Sequence, residues 1–374
     1  MKKVISRIAI VLSGMFLALS ANAQTSENPR KIWVVAHACN AHKWLQTALE
    51  DGANGVEIDV DCPKQVNPTS TYVDFSVAHD GYVDPERRAL FNLRQYILDD
   101  DDLDDVSLYF YVSLQEYLNF KEMDYLSILW LDCKCKEPGQ VYHLVKEVHR
   151  ILLDRYGSKD LVPFSIIYGV YDMHTLEDAI GSSYSVKYSG TVLIDWLRDN
   201  LWENEGTGLA CEGPAGPYKT KGKLEDLEKF FNGHNFPKGK HFASMGTGGP
   251  FFTFKWNMVD ILVELKNWRN QGRYCVRTGA WTLGKEEYAM HFVPNKADYP
   301  KSYGTECDLV LVEAQNNFVP AGVVPWLYDH FALQKFVRRF FTPGGTNGMD
   351  SYYRTYNRGH YFLAGNRWED PFYK

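Results

Sequence analysis

Short apolar runs alternate along this chain with stretches whose apolar residues recur at helical spacing. KIWVVAH (31–37) precedes AHKWLQTALEDG (41–52), and VEIDV (56–60) is followed by an irregular stretch and then FSVAHDG (75–81). YLSILWLDCK (125–134) leads into the amphipathic QVYHLVKEVHRILLDRYG (140–157), and VPFSIIYG (162–169) into a helical region starting near Asp172. GLACEG (208–213) precedes KLEDLEKFFNGH (223–234), and KHFASMG (240–246) precedes MVDILVELKNWRNQG (258–272). YCVRTGAWTL (274–283) is followed by a short helical stretch, and CDLVLVEA (307–314) comes last. Apolar strands alternating with helices predict a parallel sheet covered by helices. Roughly eight such strands favour a closed (β/α)8 TIM barrel over an open doubly wound sheet. The barrel is expected over residues 24–320. The tail, 321–374, is rich in Tyr, Phe, Arg and Gly, shows no strand of its own, and is expected to wrap the barrel as a C-terminal extension.

The first residues change the picture of where the protein works. A basic start (Lys2, Lys3, Arg7), an apolar core (8–19) and Ala21-Asn22-Ala23 have the form of a secretory signal peptide, 1–23, cleaved after Ala23. The apolar core is too short for a comfortable membrane span, so no transmembrane segment is expected in an exported, periplasmic or secreted, protein. Loss of the leader takes the net charge from −7 to −10, which argues against nucleic acid as a general partner. The seven cysteines are scattered, and the odd count leaves at least one unpaired within a monomer. Their spacing suggests buried small hydrophobes, with Cys133 and Cys135 straddling Lys134 on a strand.

Chemistry gathers at the C-terminal ends of the strands, where parallel barrels carry their sites. Strand one ends at His37, strand two carries Glu57 and Asp59, and the next segment ends at His79. The third ends at Asp132 with Lys134 beyond, and the seventh ends near Trp281. Glu57, Asp59 and Asp61 share one strand face by the two-residue period. Such carboxylates raise each other's pKa or require a cation. Glu57, Asp59 and Asp132 are hard oxygen donors suited to Mg²⁺. Lys134 would offset charge on phosphoryl oxygens, and His37 and His79 would flank the phosphorus. One imidazole would attack or deprotonate the attacking hydroxyl, and the other would protonate the leaving oxygen.

Each of these residues alone has an ordinary explanation as packing, ion pair or solvated face. Their convergence at one end of consecutive strands favours a site. Asp61 is left outside the ligand set, His42 is expected at the surface, and His143 and His149 in packing or surface roles. LDDDDLDD (98–105) lacks the glycine and glutamate of an EF-hand, and Gly246-Thr247-Gly248-Gly249 lacks a P-loop ending.

AHACNA with its H-x-x-N pattern (His37, Asn40), GANGVEIDV, VAHDG and LWLDCKC together resemble the sphingomyelinase D / phospholipase D toxin family. That family belongs to the glycerophosphodiester phosphodiesterase-like, PLC-like phosphodiesterase barrel superfamily. GAWTLGK (279–285), CDLVLVEAQNNF (307–318) and the tail NRWEDPFYK (366–374) extend the resemblance, which is strongest over 32–134. It implies that Glu57, Asp59 and Asp132 hold Mg²⁺ and that His37 and His79 are the acid–base and nucleophilic pair. It further implies that Lys134 touches phosphate and that Trp281 lines the substrate cleft. The implied activity is cleavage of a sphingomyelin or lysophospholipid headgroup, often through a cyclic phosphate, by a monomer in transient contact with a membrane surface. The chain departs from the family in lacking the cysteine-rich loop after the second histidine and in a longer 180–220 region. Gly284 also stands where an Asp near the headgroup is usual. A glycerophosphodiester phosphodiesterase is the nearest alternative, although His37-Ala-Cys and Asp132-x-Lys134 differ from its usual His-Arg-Gly and Glu-x-Lys. A phosphatidylinositol-cleaving lipase would carry a different strand-two pattern. A non-catalytic exported lipid- or glycan-binding barrel, suggested by 15% aromatic residues, would require the whole acid and histidine set to be vestigial.

Overall fold

A computed structural model of the chain describes residues 30–50, 53–63, 72–78, 82–89, 111–134, 137–170, 173–177, 190–212, 221–238, 240–246, 256–273, 277–283, 291–292, 296, 300–313 and 361–363. Residues 1–29, His79, the acidic run 98–105 and residues 247–249 lie outside these.

The strands are β1 Arg30–His37, β2 Gly55–Asp61, β3 Ser76–Val77, β4 Val112–Ser113, β5 Ile128–Cys133, β6 Ser165–Val170, β7 Glu205–Glu212, β8 His241–Gly246, β9 Arg277–Leu283, β10 Leu309–Glu313 and β11 Tyr361–Leu363. Eight of them pair in parallel around a closed ring, β1–β2–β5–β6–β7–β8–β9–β10 and back to β1. The chain is therefore a (β/α)8 barrel, as the alternation of runs predicts. FSVAHDG contributes no stave. Its strand β3 instead runs antiparallel beside β2, with Val60 opposite Val77 and Asp61 opposite Ser76, and β4 pairs outside it.

Side-chain alternation divides the staves into two layers. Trp33, Val35, Ile128, Trp130, Ile167, Phe242, Leu309 and Leu311 fill the barrel interior. Their neighbours Val34, Ala36, Val56, Ile58, Val60, Leu129, Leu131 and Cys133 face outward, packed with helix residues such as Leu45, Val141, Leu144 and Val148. Burial at this level stabilises by about 1.5–3 kcal/mol per large aliphatic side chain. The helix Pro138–Tyr156 illustrates the local causes. Glu137 and Gln140 form a capping box, Pro138 pre-sets the first turn, and Gly157 at φ 75° ends it. Gly55 begins the inward positions of β2, and a Cβ there would stand 2.3 Å from the Ile128 side chain. The absence of a side chain lets β2 approach its neighbours closely below the acidic positions.

One expectation is corrected. The tail carries a strand: Tyr361, Phe362 and Leu363 of β11 pair in parallel with Arg30, Lys31 and Ile32 of β1. Pairing of β1 with β10 begins only at Trp33, so the first residues of β1 project below the ring with backbone groups that another strand can take up. A three-residue strand is too short to show alternation in sequence, which explains why the pattern missed it. The remainder of 321–374 lies outside the described residues.

Candidate active site

The parity that buries Trp33 and Val35 inside the ring also turns His37 inward at the end of β1. On β2 the inward positions are 55, 57 and 59, and on β5 they are 128, 130 and 132. Register sets Glu57 opposite Trp130 and Asp59 opposite Asp132. The carboxylates of Glu57, Asp59 and Asp132 consequently converge at the C-terminal mouth, with one oxygen of each lying within 4.8 Å of the others. Asp61, the last residue of β2, instead accepts from the N–H of Cys62 at 2.7 Å and stands apart from this group.

Lys134 lies just beyond β5 and reaches back into the cluster. Its ammonium donates to Asp132 Oδ2 at 2.6 Å and pairs with Asp59 Oδ1 at 2.8 Å. The other oxygen of Asp59 accepts from the Asn40 side-chain amide at 2.7 Å, while the Asp59 N–H donates to Asn40 Oδ1 at 2.9 Å. Glu57 Oε2 accepts from the N–H of Ala38 at 2.5 Å and lies 3.8 Å from His37 Nε2. The backbone of Glu57 is held too, its carbonyl accepting from the N–H of Cys39 at 2.8 Å.

Aiming two consecutive N–H groups at Glu57 requires a sharp turn after β1. Ala38 adopts φ 53°, a left-handed conformation that a residue with a Cβ takes only at a penalty of roughly 1–2 kcal/mol. The Tyr117 hydroxyl, fully buried, secures the turn by donating to the Cys39 carbonyl at 2.6 Å.

The electrostatics follow from this crowding. Burial, followed by repulsion from Asp59 and then Asp132, raises the Glu57 carboxyl to about 8, although His37 and the Ala38 N–H favour its anion. Burial raises Asp132 as well; Lys134 pulls it back while Asp59 adds repulsion. For Lys134 burial opposes the charge, but Asp132 and Asp59 outweigh it and hold the ammonium above its usual range.

Three carboxylates against one ammonium would carry two surplus negative charges if all were ionised. Burial and the neighbouring acids favour the protonated form of Glu57, so a cation in this cluster would meet less opposition than a third anionic charge. All the donors are hard oxygens, so the set fits a small divalent ion. The buried acids, fixed ammonium and imidazole can together bind an anionic group and move a proton.

The other expected positions divide. Trp281 lies on β9 opposite Gly246, the last residue of β8, so its backbone stands toward the mouth. Its side chain, like the whole of His79, is outside the described residues. His42 lies at the surface as expected, its side chain 42% exposed, while its Nε2 meets the buried Glu122 at 2.8 Å and its ring stacks on Phe120. His143 is buried on its helix, and His149 meets both carboxylate oxygens of Glu205 at 2.9 and 2.8 Å. Cys39, Cys62, Cys133 and Cys307 are buried, in keeping with cysteines used as small hydrophobes. Among the described residues no helix is long and apolar enough to cross a membrane.

Sequence reasoning noticed Asn40 only as part of a pattern and did not single out Ala38 or Tyr117. An asparagine three residues beyond a strand-ending histidine is a usable signal for Asn40. Neither the turn at Ala38 nor the remote Tyr117 has one.

No family model matches the chain. No curated protein matches it either. Among solved structures, one described as a glycerophosphodiester phosphodiesterase from Parabacteroides distasonis is similar at 14% identity, covering 77% of this chain and 95% of that one, with a TM-score of 0.39.

Proposed function

We propose that this protein is an exported phosphodiesterase of the glycerophosphodiester phosphodiesterase-like superfamily, dependent on Mg²⁺ and acting on a phospholipid or lysophospholipid headgroup. The observation that carries the reading is the meeting of Glu57, Asp59 and Asp132 with Lys134 at the barrel mouth, beside His37. Those three carboxylates would hold the ion. When bound, it would supply Lewis-acid stabilisation of charge on the phosphoryl oxygens. Lys134 would bring a second positive charge to the same oxygens, held in place by Asp59 and Asp132. Asn40 fixes the orientation of Asp59, and the Ala38 N–H that of Glu57. His37, against Glu57, is placed to hold a proton at Nε2, and His79 would be its partner across the phosphorus. Trp281 would line the substrate cleft.

The preference for a lipid headgroup, such as that of sphingomyelin or a lysophospholipid, is supported by His37-Ala-Cys-Asn40 and by Asp132-x-Lys134. Removal of leader and metal, followed by incubation with sphingomyelin, lysophosphatidylcholine and glycerophosphodiesters with and without Mg²⁺, tests the reading through product masses. Turnover that vanishes with EDTA and returns with Mg²⁺ is expected, with a cyclic or hydrolysed headgroup ester as product. Turnover indifferent to chelator removes the metal; turnover of glycerophosphodiesters alone moves the substrate to the simpler class.

A further inference from the structure

Lys134 stands just past the end of β5, at the parity of Trp130 and Asp132. Its N–H donates to the Val60 carbonyl at 2.9 Å, so its main chain stays fixed against β2. The side chain, 15% exposed, curls back until one ammonium bridges Asp132 Oδ2 at 2.6 Å and Asp59 Oδ1 at 2.8 Å. The other oxygen of Asp59 accepts from Asn40, and Glu57 Oε2 accepts from the Ala38 N–H. Two of the three acids that would hold a divalent ion therefore already hold a cation of this chain.

Two cations share such oxygens at a cost. Mg²⁺ binds a carboxylate oxygen at about 2.0–2.1 Å. With the ammonium at 2.8 Å on the same oxygen, the two charges would stand no more than about 5 Å apart in a site largely shut off from water. The neutral partners of the acids face no such conflict. Asn40 is tied to Asp59 at both ends of its amide, and the Ala38 N–H belongs to the main chain, so both can stay. Lys134 is the partner built to yield, because its four-carbon stem rotates freely and its ammonium hydrates well.

We propose that Lys134 is a displaceable counter-ion: a divalent ion entering the cluster takes over oxygens of Asp59 and Asp132 and turns the ammonium outward, toward an anionic group bound at the mouth. The inference rests on the reading of these acids as a Mg²⁺ site. It makes ion and anion binding support each other, since the ion releases the charge that the anion meets. It also reverses the ordinary expectation for a residue of a binding site, because loss of Lys134 should tighten the ion.

The test is Mg²⁺ binding to the metal-stripped protein by titration calorimetry at about pH 9, where protons compete least for the acids. Lys134→Met should bind Mg²⁺ about 10-fold more tightly than the unaltered protein, or more, while Lys134→Arg, which keeps the charge, should stay within about twofold. Lys134→Gln is held to the same outcome should Lys134→Met not fold. In the unaltered protein labelled with nitrogen-15 at lysine Nζ, the Lys134 signal, identified by its loss in Lys134→Met, should move as Mg²⁺ is added. Three results overturn the proposal and leave the metal reading standing: equal or weaker binding by Lys134→Met, equal tightening by Lys134→Arg, or a Lys134 signal that stays while Mg²⁺ binds. Uptake of Mg²⁺ at millimolar concentration by neither the unaltered protein nor any variant removes the metal reading itself, and the proposal with it.

Discussion

The two ends of the barrel treat ionisable residues in opposite ways. At the N-terminal end, acids meet cations, histidines or strand-end N–H groups, although burial lowers Lys240 to about 8. Arg269 grips both oxygens of Asp308 at 2.8 and 2.6 Å, and Asp308 also accepts from the N–H of Thr278. Glu205, fully buried, accepts from Tyr168 and the N–H of Trp202 and meets His149, whose ring lies flat on Trp202. Lys240 donates to the carbonyls of Trp202, Glu203 and Glu205. Arg277 lies over the Trp33 ring, and burial pushes His241 down to about 3, leaving it neutral. At the C-terminal end, three carboxylates share one ammonium, and a turn strained at Ala38 supports one of them. Acids at one end are thus mostly paired, while the other end gathers three carboxylates around one ammonium. Excess like charge persists at a site only when the surrounding structure overdetermines it.

The contrast is broken most directly by substitutions that should separate activity from stability. His37→Ala should lower kcat by about 10²- to 10⁴-fold on the substrate identified by the panel, with little change in thermal melting. An active His37→Ala protein would remove the acid–base assignment. At the other end, Arg269→Met should destabilise by about 3–5 kcal/mol, because it strands a buried Asp308, while kcat measured well below the melting point stays unchanged. Denaturant titration checks this, and a large kcat loss with intact stability would erase the distinction between the ends.

A third substitution sharpens the comparison by changing its sign. Glu57 binds its proton more tightly in the folded protein, about 8 against 4.5, so the metal-free protein should lose stability as pH rises through that window. Glu57→Gln should flatten this loss and melt higher than the unaltered protein at pH 8 in EDTA, while abolishing turnover. Equal melting curves across the window would show that the mouth holds no such strain. Tyr117→Phe is the mildest, expected to remove about 1 kcal/mol through its bond to the Cys39 carbonyl. A small fall in kcat should accompany it as the turn at Ala38 loosens.

The barrel was legible because it is written locally and repeatedly. Most staves contain an apolar run and most are followed by a helix, so one misread element leaves the count nearly intact. FSVAHDG shows the limit, since its apolar run belongs to an antiparallel branch from β2 and only pairing reveals that. The acids were legible for a related reason. Glu57 and Asp59 break an apolar strand at positions of one parity near its end, and Asp132 and Lys134 do so on another. Asp61 has the same parity yet lies outside the cluster, because β2 ends there and its carboxylate turns to the next N–H. The link from Tyr117 to the turn after His37 was hidden, since the two ends of that bond are far apart in sequence.

Residue order alone thus settled the class of fold and the acids and lysine that meet at the C-terminal end of the barrel. These depend on periodicity and on which residues interrupt it, and both are local properties. Only the tertiary structure decided that Asp61 is excluded and that Asn40 and the Ala38 N–H orient the carboxylates. The Asn40 and Ala38 contacts join distant segments, set by strand register and ring closure, which no local pattern encodes.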